Sequence, residues 1–399
     1  MTETRIAPTP ASSDGAEPGD AARTWRDRKR YLWALGLVVP LLPFGARGLV
    51  EDTGWSVFWW LGPIWILLLI PILDAVIGTD ASNPPEWAVP QLEADRYYRW
   101  LTWLFLPLQH LSFLWAARLV VEGDLSGWSQ LGFALTVGTV AGVGINTAHE
   151  LGHKRDALER RLSKLALAQT GYGHFYVEHN RGHHSRVSTP EDPASARLGE
   201  SFWRFLPRTV IGSLRSAWHI ASAAQKRKGQ RVWSWRNDLL NAWALSVVLF
   251  GGTIAWLGVR VVPFLAVQAV FGICLLEVVN YIEHYGLLRQ KVANGRYERC
   301  QPSHSWNSNH LASNLVLYHL ERHSDHHANP TRRYQSLRHF DDAPQLPSGY
   351  ALMMCLAAVP PLWRRVMDPR VLAHYGGDVT LANLQPARRQ QLLARYGGS

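Results

Sequence analysis

The chain has 399 residues, of which 47% are hydrophobic, enough material for one large domain or two medium ones. Its three cysteines, Cys274, Cys300 and Cys355, form no CxxC pair, which excludes a disulfide framework and a thiolate metal site. The formal charge of +10 is compatible with nucleic-acid binding, but the cytoplasmic loops of membrane proteins are basic too. The long apolar runs described below favour the membrane, and we expect no nucleic-acid partner.

The first segment of the chain is polar. Residues 1–24 are rich in Ala, Ser, Pro, Asp and Glu and contain no apolar run. Such a composition buries too little apolar surface to fold. We therefore predict a disordered N-terminal tail at 1–24, and no cleavable signal peptide.

Six apolar runs follow, each near 20 residues long. A helix of that length crosses the hydrocarbon core of a bilayer. The predicted fold is therefore all-α, a six-helix transmembrane bundle with spans at 31–50, 55–78, 97–121, 127–149, 240–258 and 261–283. Prolines interrupt the first two spans, at Pro40, Pro43, Pro63 and Pro71, and predict kinks rather than breaks.

The spans divide the rest of the chain. Residues 25–149 carry transmembrane helices 1–4, and residues 240–283 carry helices 5 and 6. A cytoplasmic helical segment is predicted at 150–239 and a cytoplasmic C-terminal region at 284–399. This orientation follows from the positive-inside rule, because Lys and Arg flank the spans on one side while the other side carries Glu51, Asp52, Glu122 and Asp124. Both termini are therefore predicted to be cytoplasmic.

Four histidine clusters lie beside these spans, on the predicted cytoplasmic side. HELGHK carries His149 and His153 at i and i+4, so both rings share one helix face and reach one ion. HELGH also matches the zinc-protease motif HExxH, in which Glu150 would be the general base.

Two further clusters each contain three histidines, and one contains a single histidine. In HNRGHH, His179 and His183 are again at i and i+4, while His184 points about 100° round a helix and is placed to serve a second ion. RHSDHH repeats the pattern with His323, His326 and His327, and EHYG contributes His284. Imidazole binds iron, zinc, copper or nickel. Nine such rings predict two metal ions between helices.

Neighbouring polar side chains are candidates for orienting the imidazoles, since a carboxylate or amide that accepts an imidazole N–H fixes its tautomer. The candidates are Asn146, Glu150, Glu178, Glu283 and Asp325. Of these, Glu150 and Asp325 are the candidate members of the catalytic site. Only Glu150–His153 has ExxH spacing, which disfavours a soluble di-iron carboxylate architecture.

Three other interpretations account for fewer of the histidines. A zinc protease needs one metal and three ligands, which leaves most of the imidazoles without a role. Surface histidine clusters without metal would not recur in four motifs. A metal transporter should hold its ligands near the membrane midplane, whereas these clusters lie beyond the ends of spans four and six.

Together, HELGHK, EHNRGHH, NYIEHYG and LERHSDHHA resemble the bacterial membrane alkane 1-monooxygenases. These belong to a larger histidine-rich membrane di-iron group that includes fatty-acid desaturases and xylene monooxygenases. The likeness covers roughly residues 25–375, including NPP at 83–85 and SWNSNH at 305–310. The HYG box with RHSDHH is the part that indicates alkane hydroxylation.

The resemblance implies a non-haem di-iron centre held by the nine histidines. Two Fe ions would activate O2 as cosubstrate and hydroxylate the terminal methyl group of a linear alkane to a primary alcohol. Electrons would come through an NADH-dependent rubredoxin reductase and a rubredoxin. The latter is expected as a separate protein or as a domain fused beyond Ser399. The expected location is the bacterial inner membrane, with the lipid bilayer as a partner.

An alkane offers only its shape for recognition, so we expect a long apolar channel. We predict that spans two to four line it and that bulky side chains of span two close its far end, with Trp65, Ile66 and Leu69 as candidates. For the electron donor we predict a basic docking surface. The reason is that rubredoxins are typically acidic and opposite charges speed encounter. The residues of this surface are Arg289, Lys291, Arg296, Arg299, Arg332, Arg333 and Arg338.

Overall fold

The computed structural model describes residues 25–397. The predicted disordered tail at 1–24 lies outside the described residues. Within 25–397 the secondary structure is helical, and extended segments meet only in isolated bridges such as Thr79 with His310. The all-α prediction is therefore confirmed.

The six predicted spans are all present as helices long and apolar enough to cross a membrane. Each lies within a few residues of its predicted bounds, and the spans are Leu32–Thr53, Ser56–Ile77, Arg96–Glu122, Gly127–Gly152, Asp238–Leu257 and Val259–His284. Many large apolar side chains on the spans face outward, for example Val76, Val247 and Val248. A bilayer explains this exposure, which water would penalise.

The second span departs from a regular α-helix where its prolines fall. It begins as a 3₁₀-helix, Ser56–Trp60, and contains a π-helical turn, Trp65–Leu69, directly before Pro71. Proline has no N–H to donate to the carbonyl four residues earlier. That carbonyl belongs to Leu67, and the thiol of Cys355 lies 3.6 Å from it as a substitute donor. The predicted kink is thus a local change of helix type.

The fourth span is the centre of the bundle and packs most extensively against the sixth. Glycines permit this approach, because a Cβ on Gly138 would lie 2.9 Å from the Gln268 carbonyl oxygen and one on Gly142 would lie 2.9 Å from Leu275. Small residues at such positions allow membrane helices to pack closely. The close pairing brings the ends of both spans, and with them His149 and His284, to the same side of the bundle.

The remaining helices are shorter, apart from one of 26 residues, Phe202–Arg227. They gather beyond the ends of spans four and six and enclose the histidines. Their bounds are Val89–Ala94, Ala157–Ala168, Phe175–Glu178, His184–Arg186, Phe202–Arg227, Leu311–Val316, His323–Ala328, Tyr350–Ala357, Pro360–His374 and Arg389–Tyr396.

Candidate metal centre

The nine predicted histidines come together in two adjoining groups. Their ligand nitrogens lie within 4.8 Å of one another inside each group. The first group has five members, His149, His153, His179, His184 and His326, and the second has four, His183, His284, His323 and His327. Seven of these side chains are buried, and His153 and His184 are partly buried.

The five-histidine group is built from three separate segments. His149 lies in the last turn of span four and His153 follows at its end. His149 Nε2 lies 2.9 Å from His326 Nε2, and His184 Nε2 lies 3.1 Å from both His179 Nε2 and His326 Nε2. Metal–imidazole bonds of about 2.0–2.1 Å place neighbouring ligand nitrogens about 3 Å apart. The observed spacing matches a set of ligands around one ion.

A π-helical turn decides how the HNRGHH histidines divide between the groups. The sequence placed His179 with His183 on one face, but the structure places His179 with His184 and sends His183 to the second group. The reason is that His179–His183 is π-helical. Hydrogen bonds in such a turn run from i to i+5, so residue i+5 is brought round toward the side of residue i. The expectation that His179 and His183 share one ion is therefore not met, because the two rings fall into different groups.

The four-histidine group joins the end of span six to the RHSDHH helix. His284 Nε2 lies 3.2 Å from His323 Nε2, which lies 2.8 Å from His327 Nε2. His323 and His327 share a face of the helix His323–Ala328 with i, i+4 spacing. The Nε2 atom of His183 is buried and has no hydrogen-bond partner among residues 25–397. It is free to bind a metal ion.

Burial favours the neutral form of several imidazoles outside the spans. It lowers the pKa of His153, His179, His326 and His327 well below the ordinary value, and the neighbouring imidazoles lower it further. A neutral imidazole has a lone pair for a metal ion, whereas a protonated one does not. The electrostatics of both groups therefore favour metal binding.

Two carboxylates lie against the second group. Asp192 Oδ2 lies 2.9 Å from His183 Nδ1, and Glu283 Oε1 lies 3.1 Å from His323 Nδ1. Burial would raise the pKa of Asp192, but the nearby His183 and the hydrogen bonds from His183 and Ser195 lower it to about 2. Asp192 was missed in the sequence. It lies nine residues after His183 in a turn, where no helical spacing points to it.

Glu283 is the one predicted carboxylate that contacts a histidine ring. Glu150 instead pairs with Lys154 at 2.9 Å and accepts the N–H of Tyr334. Asp325 accepts hydrogen bonds from Arg332, Asn329 and the N–H of Arg338. The expectation that Glu150 and Asp325 accept an imidazole N–H is therefore not met. Both instead hold together the segments that carry the ligands.

The other two polar candidates also bind elsewhere. Glu178 pairs with Arg186 at 2.7 Å, and Asn146 donates a hydrogen bond of 2.7 Å to the carbonyl oxygen of Leu317. These contacts join the helices around the centre without touching a ligand nitrogen.

An apolar cavity reaches the histidines from within the bundle. Its wall consists mainly of aliphatic side chains from spans two, four and six, including Ile66, Val143, Leu275 and Val279. The rings of His149 and His179 from the first group and of His323 from the second also line it. The cavity thus touches both groups.

The lining of this cavity differs from the predicted channel in two respects. Ile66 lines it as predicted, but Trp65 and Leu69 do not, and span six replaces span three in its wall. These residues differ in burial: Ile66 is buried, whereas Leu69 is only partly buried. The π-helical turn at Trp65–Leu69 directs Ile66 inward.

The predicted donor-docking residues differ in accessibility. Arg289 is buried and donates to the carbonyl oxygens of Glu298, Ser185 and Val187, so it is inaccessible to a partner. Salt bridges engage three others, with Arg332 on Asp325, Arg333 on Glu159 and Arg338 on Glu86. The three that remain exposed are Lys291, Arg296 and Arg299.

Comparison with known proteins defines the class of this membrane protein. Residues 126–357 match the family model described as fatty acid desaturase, a stretch that includes all nine histidines. The alkane 1-monooxygenase of Acinetobacter baylyi is 48% identical over 399 residues, which cover 98% of this chain and 97% of that protein. The alkane 1-monooxygenase of Ectopseudomonas oleovorans is 45% identical, with 95% of each chain covered.

A more distant relative shares most of the chain. The xylene/toluene monooxygenase hydroxylase component of Pseudomonas putida is 26% identical over 76% of this chain and 81% of its own. This chain is therefore much more similar to the two alkane 1-monooxygenases, over nearly its full length, than to the xylene/toluene monooxygenase component. The chain belongs to the alkane 1-monooxygenase family, and it is a multi-pass membrane enzyme.

Proposed function

We propose that this protein hydroxylates the terminal methyl group of a linear alkane to a primary alcohol with O2, at two iron ions held by its nine clustered histidines. One oxygen atom enters the alcohol and the other leaves as water, which requires two electrons and two protons. The apolar cavity that ends on rings from both histidine groups is the observation that carries this proposal. The names of the relatives support the substrate class.

The donor set fits two metal ions. Its imidazoles are mostly buried, and five pairs of Nε2 atoms are separated by 2.8 to 3.2 Å. Five imidazoles in one group exceed the four ligands of a structural zinc site. Imidazole is a common ligand of iron. Bound iron would supply the redox chemistry that an unactivated C–H bond requires, since no side chain in the chain can remove a methyl proton.

The residues of the chain bind and orient the substrate. Aliphatic side chains exclude water from the cavity. An alkane in it would lie lengthwise between the spans. Asn146, Asn280 and Glu283 are polar groups near the histidine end of the cavity. Tyr350 donates a hydrogen bond of 3.2 Å to Glu283, which keeps this carboxylate beside His323. The apolar wall therefore selects the substrate, and the polar end positions the ligands.

Electron supply and orientation are part of the same proposal. A rubredoxin served by an NADH-dependent reductase would dock on the predicted cytoplasmic face of the bacterial inner membrane, with both termini on that face. Lys291, Arg296 and Arg299 are exposed and would be the residues that contact this donor. Donor-limited turnover should fall as salt screens them. Turnover that is insensitive to ionic strength would contradict docking by charge.

A zinc protease is the alternative that HExxH suggests. Its Glu would have to activate water at the metal, but the Glu150 carboxylate is occupied by Lys154 and by the N–H of Tyr334. A metal transporter is disfavoured because the ligands lie at or beyond the ends of spans four and six.

Metal analysis and product analysis together test the proposal. Purified protein should contain two irons per chain and convert alkanes to 1-alcohols when a reduced electron donor is supplied. His284→Ala should abolish turnover and reduce the metal content, because it removes one of the four imidazoles of the second group. His219→Ala, at a histidine far from the motifs in sequence, is the matched control. One zinc per chain, or full activity of His284→Ala, would contradict the proposal.

A further inference from the structure

The 26-residue helix Phe202–Arg227 has an inner flank that packs on the protein. Its buried residues recur every three or four positions, at Phe202, Phe205, Thr209, Ser213 and Ala217. Thr209 donates a hydrogen bond of 2.9 Å to Glu277 of span six. This flank fixes the helix against the bundle.

Arg208 attaches the same helix to the turn that carries Asp192. It makes two hydrogen bonds of 2.8 Å to Glu200 and donates at 3.1 Å to the carbonyl oxygens of Pro193 and Ser195. The helix therefore supports the turn in which Asp192 contacts His183.

A second flank of the helix is apolar and faces outward. Trp203 is 57% exposed, Ile211 and Leu214 are also exposed, and Trp218 is partly buried. At about 100° per residue, these four side chains fall within a sector of about 80°. An exposed apolar stripe of this kind on one side of a helix is typical of helices that lie in a membrane interface.

A third flank, adjoining the apolar one, is basic. At the same angular increment, Arg204, Arg208, Arg215 and Lys226 fall within a sector of about 40°. Residues 202–236 contain eight Lys and Arg and no Asp or Glu. Within residues 25–397 no ion pair engages Arg215, Lys226, Arg227, Lys228 or Arg231. These charges have no acidic partner in the described part of the protein.

The turn after the helix leads directly into span five. Trp233 and Trp235 are 76% and 79% exposed, within five residues of the start of the span at Asp238. The Trp233 ring lies 5.3 Å from that of Trp218, and the guanidinium of Arg236 lies 5.6 Å from the Trp235 ring. Tryptophan is enriched at the level of the headgroups, where membrane helices begin. The turn and the apolar flank are thus continuous with the membrane surface around span five.

We propose that residues 202–236, which we call the anchor segment, lie in the membrane interface and bind anionic phospholipid headgroups. The apolar flank and the two exposed tryptophans contact acyl chains, and the unpaired basic side chains contact phosphates. An acidic protein partner would account for the charges alone. It would not account for the apolar side chains beside them or for the tryptophans at the start of span five.

Lipid preference of the purified metal-loaded protein tests this inference. The protein in detergent is titrated with phosphatidylglycerol or with phosphatidylcholine of the same acyl chains, and the thermal midpoint is followed. Phosphatidylglycerol should stabilise the protein at lower lipid concentration. Replacing Lys226, Arg227, Lys228 and Arg231 by Gln should reduce this preference at least roughly tenfold, since each basic residue near an anionic surface contributes about fivefold. High salt should reduce it as well.

Two control variants show whether the lipid preference belongs to the anchor segment. Lys226→Arg with Lys228→Arg keeps the charges and should keep the preference. Gln at Lys291, Arg296 and Arg299 removes a similar charge from another exposed loop and should also keep it. Equal stabilisation by both lipids, or an equal loss of preference in this second control, would overturn the inference. So would a finding that the four-Gln variant loses affinity for an acidic electron carrier in phosphatidylcholine nanodiscs while its lipid preference is unchanged.

Discussion

Asp192→Asn is the substitution that best tests how the second histidine group is oriented. Asp192 Oδ2 accepts hydrogen bonds from His183 at 2.9 Å and from the Ser195 hydroxyl at 2.6 Å, while Oδ1 accepts the N–H of Ala194 at 3.1 Å. Asparagine has the same shape but only one acceptor oxygen. In either amide orientation, its NH2 group must therefore face a donor.

The magnitude follows from these contacts. A hydrogen bond to a charged acceptor contributes about 1.5–3 kcal/mol, and replacing the partner of a metal-ligating histidine costs about 10–100-fold in metal affinity. If the amide NH2 faces His183, the ring must move its proton from Nδ1 to Nε2, and Nε2 then has no lone pair for metal. We expect metal affinity at the four-histidine group to fall about 10–100-fold.

Iron titration of the metal-free protein in nanodiscs is the assay. Asp192→Asn should fill one site with unchanged affinity, the five-histidine group, and one site more weakly. Ser195→Ala is the control, because it removes one hydrogen bond and keeps the carboxylate beside His183. Two sites of unchanged affinity in Asp192→Asn would refute the reasoning, as would an equal loss at both sites.

Three further predictions concern the cavity, the buried ion pair and pH. Ile66→Ala should raise the ratio of kcat/KM for a longer alkane over a shorter one by roughly tenfold, measured by product analysis; Leu69→Ala, outside the cavity lining, should leave the ratio unchanged. Glu150→Gln should lower the free energy of unfolding by about 3–5 kcal/mol, because it leaves Lys154 buried without its partner, with two metals retained. Adding Lys154→Met to this variant should recover part of the lost stability. A thermal midpoint of Glu150→Gln equal to that of the unsubstituted protein would contradict the prediction. The metal-free protein should lose stability as pH falls below about 6.5, because burial lowers the pKa values of His153, His179 and His326 and the unfolded state therefore binds more protons; a thermal midpoint that is constant from pH 7 to 5 would contradict it.

Much of the architecture was predictable from local sequence. The length of each apolar run sets whether a helix can cross the bilayer, so all six spans lie within a few residues of their predicted bounds. The histidine motifs were equally informative. Imidazoles in motifs next to spans four and six had to lie near one another once those spans paired, and all nine do so.

The division of the histidines between two groups was not predictable from spacing. An ideal helix pairs His179 with His183, but the π-helical turn pairs His179 with His184. Such a turn depends on how the neighbouring segments pack, and HNRGHH has no residue that demands it. The contact between Asp192 and His183 depends likewise on the path of a turn.

Long-range packing decided the rest. A basic residue in a sequence can be a surface charge or a buried structural donor, and Arg289 proved to be the second because three carbonyl oxygens converge on it. The cavity wall contains residues of span six instead of span three, which depends on how the spans pack against one another. The sequence by itself determined which segments enter the membrane and which side chains can bind metal, since run length and residue chemistry are local properties. Only the tertiary structure decided which imidazoles lie together in each group and what lines the cavity beside them, because these depend on contacts between residues far apart in the chain.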